Sequence, residues 1–164
     1  MSEDPRILPI HIPLTALLDL VFEAMRNEFR GAIEASEFDD LRITHGSVFR
    51  YVRETGMRLT EIAERANVTK QSAGEIVDEL VDRGYVERAP DPLDGRAKLV
   101  CLTTRGERAQ EFGFRAFAAI ERHWAERFGA ERIAELRRTL EAIVAAEAPH
   151  AVPEAEIAGA GDRG

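Results

Sequence analysis

The chain is 164 residues long with 45% hydrophobic and 32% charged side chains, enough for one compact domain or two small interlocked lobes that fold without staples. Its single cysteine, Cys101, cannot form an intramolecular disulfide, the start MSEDPRILPIHIPL lacks the basic and apolar regions of an export signal, and no run approaches the roughly 20 apolar residues of a membrane span; the expectation is a cytoplasmic chain with no membrane role. The formal net charge of −8 is uneven, with 3 basic and 9 acidic side chains over residues 1–41, 10 and 10 over 42–103, and 9 and 11 over 104–164, so a neutral middle sits inside an acidic frame.

Leu14, Leu17, Leu18, Val21, Phe22 and Met25 recur at helical spacing with Asp19, Glu23 and Arg26 between them, which predicts a first amphipathic helix. Thr44 is placed to cap a second helix carrying Val48, Phe49 and Val52, closed by Gly56, with Met57-Arg58-Leu59 as an extended link. Thr60 then caps a short third helix with Ile62, Ala63 and Ala66, and Thr69 caps a fourth running to Gly84. In the fourth helix Ala73, Ile76, Val77, Leu80 and Val81 form the buried stripe, opposite Lys70, Gln71, Gly74, Glu75, Asp78 and Asp82.

Two runs of strand character follow, 85–88 and 98–102, separated by Pro90, Pro92 and the turn pair Asp94-Gly95, and they predict a β-hairpin with an exposed tip. Thr104-Arg105-Gly106-Glu107 has capping-box spacing for a long fifth helix with Phe114, Phe117, Ile120, Trp124 and Phe128. Gly129 breaks it, and Ile133, Leu136, Leu140, Ile143 and Val144 mark a sixth helix. From Pro149 onward Ala, Gly, Pro and acidic residues dominate, predicting a disordered tail.

Two short capped helices joined by a tight turn and followed by a hairpin describe a winged helix-turn-helix, whose second helix enters the major groove of DNA. The expected fold class is mostly α (α+β), with a small β-hairpin wing embedded between N- and C-terminal dimerisation helices. Thr69, Lys70, Gln71 and Ser72 form the polar first turn of the reading helix, where side chains and backbone amides can meet phosphates or base edges. Arg96 sits where a wing lays a guanidinium into the minor groove, with Arg88 and Lys98 on the flanking strands. Asp94 reads as the partner that orients Arg96, since a lone carboxylate repels phosphate.

The stretch LTEIAERANVTKQSAGEIVDELVDRGYVERAPDPLDGRAKLVCLTTRG, residues 59–106, resembles the core of the multiple-antibiotic-resistance regulator (MarR) family. The likeness rests on Asp91-Pro92-x-Asp94-x-Arg96, on Gly84-Tyr85-Val86-x-Arg88, and on Leu102-Thr103-x-x-Gly106; helix order extends it to about residues 12–147. The resemblance implies a helical dimerisation region at 12–35 and 104–147 and a DNA-binding domain at 42–103, and composition leaves 148–164 as the disordered tail. It implies a homodimer joined by the first, fifth and sixth helices, Leu14, Leu17, Leu18, Val21, Ile133, Leu136, Leu140 and Ile143 among them, each protomer reading half of a pseudo-palindromic double-stranded DNA operator. It further implies a repressor released by a small aromatic or phenolic effector, with His45, Phe49 and Phe114 as candidates to line its crevice. One departure stands out: Glu75, Asp78, Glu79 and Asp82 make the later turns of the reading helix acidic, which predicts modest, salt-dependent affinity.

Competing readings are weaker. Cys101 lies between Val100 and Leu102 without a His or Lys beside it, so half-buried packing is favoured over a redox sensor. His11, His45, His123 and His150 lack the spacing and company of a metal site. No nucleophile, base or phosphate loop converges, which argues against an enzyme and against a cofactor. The rival from another class is a protein-interaction module in which the acidic reading helix binds a partner protein.

Overall fold

The computed structural model describes residues 12–147; the expected tail at 148–164 lies outside the described residues. The elements in chain order are α1 (Leu14–Glu34), a 3₁₀ turn (Ile43–His45), α2 (Gly46–Phe49), β1 (Met57–Arg58), α3 (Leu59–Ala66), α4 (Lys70–Asp82), β2 (Val86–Asp91), β3 (Asp94–Leu102), α5 (Thr104–Phe128) and α6 (Ala130–Glu147). The three strands form one antiparallel sheet in the order β1-β3-β2.

Most elements stand where periodicity places them, and the differences have local causes. The second helix is shorter than expected: residues 43–45 form a 3₁₀ turn, the helix proper ends at Phe49, and Gly56, at φ +79°, sits in the turn before β1. The contact there runs from the Arg42 backbone amide to His45 Nδ1 at 3.1 Å, with the His45 amide donating to Arg42 O at 3.0 Å, and Thr44 does not cap the turn. Similarly, α3 starts at Leu59 from Arg58 rather than from Thr60, and α5 is capped by Thr103, whose Oγ1 accepts the Gly106 amide, one residue before the expected Thr104. The link at residues 57–58 is a paired strand, with Met57 opposite Val100 and Arg58 opposite Leu99. Gly129, at φ +102°, separates α5 from α6 in a conformation that side-chain-bearing residues rarely adopt.

The core is built by α2, α3, α4 and the sheet. Val48, Val52, Ile62, Ala73, Val77, Leu80 and Tyr85 are fully buried, while Ile76 and Val81 are partly buried against them. α1 lies against α5, with Phe29 stacked on Phe117 at 4.2 Å and Glu28 accepting hydrogen bonds from Trp124 Nε1 (2.6 Å) and His123 Nδ1 (3.0 Å). α6 folds back on α5, where the Arg137 guanidinium meets Glu121. The outward apolar residues of these helices, including Leu14, Leu18, Phe22, Phe114, Leu136, Leu140 and Ile143, remain exposed in the single chain.

Candidate nucleic-acid interface

The buried stripe of α4 fixes one face of the helix and leaves its first turn outside. Thr69 caps that turn: its Oγ1 accepts the Ser72 amide at 3.1 Å and donates to Ser72 Oγ at 2.9 Å. Lys70, Gln71 and Ser72 are exposed, and Gln71 Nε2 donates to Glu75 Oε1 at 3.1 Å, one turn along. The first turn therefore presents an ammonium group that makes no ion pair among the described residues, a carboxamide and two hydroxyls beside the helix's first backbone amides.

Two of the four acidic residues on the later turns of α4, Asp78 and Glu79, are paired with cations of the chain, and Glu75 accepts from Gln71. Asp78 Oδ1 lies 2.6 Å from Arg88 Nη1 on β2. Glu79 Oε2 lies 3.1 Å from His45 Nε2, 3.2 Å from Arg42 Nη1 and 3.6 Å from Arg83 Nη2. The His45 hydrogen bond, with help from Arg42 and Arg83, holds the Glu79 carboxyl below its ordinary pKa against the opposing effect of desolvation. His45 is 2% exposed, with Nδ1 beside the Arg42 amide at 3.1 Å and Nε2 beside Glu79, so both ring nitrogens have partners within the chain. Nothing in the composition pointed to this exchange; the signal was a histidine three residues after an arginine at a helix start.

The wing differs from expectation at its tip. Asp91 pairs with Asp94 across the hairpin, so the two-residue turn is Pro92-Leu93, and Asp94-Gly95 belong to β3. The cause is the side chain of Asp91, which is 6% exposed: its Oδ1 accepts the Leu93 amide at 2.8 Å, and its Oδ2 receives Arg58 Nε at 2.8 Å and Nη2 at 2.6 Å. The Leu93 amide, followed by Arg58, keeps the Asp91 carboxyl below its ordinary pKa. Pro92 supplies the fixed φ suited to the turn's first position. Asp94 holds the backbone amide of Arg96 (3.2 Å) rather than its guanidinium, and its other oxygen faces Arg58 at 3.7 Å. Arg96 and Lys98 are exposed on β3 and make no ion pair among the described residues, whereas Arg88 is engaged with Asp78. Leu93, which sequence reasoning passed over, stands at the very tip.

The reader is tied to the long helix by a polar knot. The Tyr85 hydroxyl donates to Asp40; Arg105 Nη2 reaches the same carboxylate at 3.1 Å, its Nη1 donates to Arg83 O at 2.6 Å, and its guanidinium lies 4.3 Å over the Tyr85 ring. Burial, reinforced by Asp40, pushes the Tyr85 phenol far above its ordinary pKa. Thr103 Oγ1 donates to Gly84 O at 2.6 Å.

Of the residues expected to line an effector crevice, His45 and Phe49 are buried in the core of the reader and Phe114 is half exposed on α5. Cys101 is half-buried on β3, where burial, and secondarily Glu87, raises its thiol pKa. That disfavours the thiolate a redox sensor needs. Among the described residues no cluster of His, Cys, Asp and Glu is arranged to hold a metal, and no helix is long and apolar enough to cross a membrane.

This geometry has known relatives. The MarR family model matches residues 39–97. An uncharacterized HTH-type transcriptional regulator of Mycobacterium bovis and an HTH-type transcriptional regulator of Mycobacterium tuberculosis are each 34% identical over 86 residues, 52% of this chain and 54% of theirs; the chain thus spans about half the length of these curated relatives. The crystal structure of the reduced form of MarR from E. coli is 23% identical with a TM-score of 0.73, covering 82% of this chain and 98% of that one. That of CouR from Rhodococcus jostii RHA1, bound to p-coumaroyl-CoA, is 25% identical with a TM-score of 0.63, covering 79% and 90%.

Proposed function

We propose that the chain, whose residues 39–97 match the MarR family model, is a winged helix-turn-helix transcriptional regulator of that family, and that it is a cytoplasmic, ligand-responsive repressor acting as a homodimer on a pseudo-palindromic operator. The observation that carries the reading is the pairing of an open, polar first turn on α4 with the wing cations Arg96 and Lys98, which make no ion pair among the described residues, while Asp78 and Glu79 of the same helix are neutralised by partners within the chain. Thr69, Lys70, Gln71 and Ser72 would face the major groove, Arg96 the minor groove, and Arg88, Asp94 and Lys98 would set the wing's approach to the backbone.

The exposed apolar faces of α1 and α6, with Leu14, Leu17, Leu18, Val21, Leu136, Leu140 and Ile143 outward and Ile133 half-buried, favour a dimer, because a monomer rarely leaves so much contiguous apolar surface in water. A small aromatic or phenolic effector would act by favouring a spacing of the two reading helices that misses successive major grooves, roughly 34 Å apart. The likeness to CouR, whose structure holds p-coumaroyl-CoA, supports this class of effector.

The test is binding of the purified protein to the intergenic DNA beside its own gene, at low and at physiological salt, against an unrelated duplex of equal length. Selective binding that survives physiological salt is expected. No preference at either salt would overturn the reading in favour of a protein-interaction module.

A further inference from the structure

The outermost residue of the wing is apolar. Leu93 is 94% exposed, more than any other large hydrophobic side chain among the described residues. It does not stand there on a slack loop: Asp91 grips its amide at 2.8 Å, Arg58 grips Asp91 twice, and Pro92 precedes it. A leucine in water adds nothing to the stability of the free chain, yet a nearly buried carboxylate and an arginine from β1 fix the backbone that carries it.

We propose that Leu93 is an apolar prong that enters the DNA minor groove ahead of Arg96 and selects against guanine there. The occupant follows from what surrounds the tip. Arg96 and Lys98 are exposed on the strand leading from it, and both lack an ion pair among the described residues, so the potential at the wing's end draws in a polyanion. The minor groove's negative potential receives the Arg96 guanidinium. Once that guanidinium is seated, the tip residue is carried in with it, and apolar side chains are well suited to the groove's sugar walls and base steps. The groove floor supplies the selectivity. An A·T pair offers acceptors only, whereas a G·C pair adds the guanine 2-amino donor. Methyl groups pressed over that donor strip its water and return no hydrogen bond, which is costly. The wing should therefore tolerate A·T and disfavour G·C beneath Leu93.

This inference rests on the DNA-binding reading, and the experiment separates the two. Full-length wild type, Leu93→Ser and Arg96→Ala are titrated with the footprinted duplex from the intergenic DNA beside the gene, over a range of salt. The wing-facing pairs are set in turn to A·T, G·C and I·C, inosine being guanine without its 2-amino group. Leu93→Ser is expected to keep the wild-type melting temperature and lose about tenfold in affinity for the A·T duplex. Its salt slope should be unchanged because no charge is removed, while Arg96→Ala lowers the slope by about one. Wild type should bind I·C like A·T and above G·C, and Leu93→Ser should bind all three alike. Wild-type affinity in Leu93→Ser beside a weakened Arg96→Ala overturns the prong and leaves DNA binding intact. A changed salt slope in Leu93→Ser also overturns it, since Leu93 would then act only by placing Arg96. Failure of wild type to prefer its own duplex overturns the DNA-binding reading and the prong together.

Discussion

Gly106 sits in the first turn of α5, where a Cβ would come within 2.0 Å of the Tyr85 carbonyl oxygen. Since the obstacle is backbone rather than the end of a flexible side chain, Gly106→Ala should destabilise the fold by about 3 kcal/mol in chemical denaturation; a loss under about 1 kcal/mol would mean that α5 can draw back from the reader. Asp91 makes a prediction of a different kind. Its folded-state pKa is lowered, by the Leu93 amide first and Arg58 second, so its contribution is complete above the ordinary aspartate value of about 3.9. That contribution disappears as pH falls through the lowered folded value. The Leu93 amide resonance should accordingly hold its position down to about pH 4 and move only in stronger acid. A midpoint at the ordinary value would show that the grip is not made in solution. The role of Asp91 was not legible in the sequence, because the motif Asp91-Pro92-x-Asp94-x-Arg96 marks a wing without saying which pair turns the chain. Asp94-Gly95 has the better local turn chemistry, and the long-range bond from Arg58 decides against it.

At the scale of elements, helix stripes were legible from their periodicity and the cap was legible at Thr69, whereas Thr44 and Thr60 also stand before periodic runs and cap nothing. Caps were missed where the acceptor is an unusual one, as at His45 Nδ1, or stands one residue earlier, as at Thr103. Removing the Thr69 hydroxyl by Thr69→Ala should cost about 1 kcal/mol of stability, measurable by urea denaturation; no loss would imply that Ser72 or water takes over the cap. The acidic run on α4 reads differently once its partners are known. Asp78 holds Arg88, and Glu79 holds His45 and Arg42, so these carboxylates are counterions of the chain's own cations. Asp78→Asn should release Arg88 to the DNA backbone, raise affinity several-fold and steepen the salt slope by about one. An unchanged slope would mean that Arg88 never reaches phosphate.

For the whole molecule, the net charge of −8 gave no hint of a nucleic-acid surface, because it reports a sum whereas binding depends on which charges are left unpaired. The dimer expectation rests on faces that the single chain leaves uncovered. Replacing Leu136 and Leu140 together by Asp should yield monomers in light scattering and abolish binding to a two-half-site duplex; a dimer that persisted would place the interface elsewhere. A last consequence belongs to the knot of Tyr85, Asp40, Arg83 and Arg105. These groups weld the end of the reading helix to the root of α5, so the two turn as one piece. With 25 residues, α5 is a lever about 37 Å long at the usual helical rise. Moving its far end, where α1 and α6 pack, sideways by roughly 3 Å swings the reader through roughly 5°, which at the far end of an arm of about 20 Å, the length of α4, becomes nearly 2 Å. Gearing of this kind lets a small event at the tip of a long helix throw a recognition surface out of register without breaking a single bond inside it.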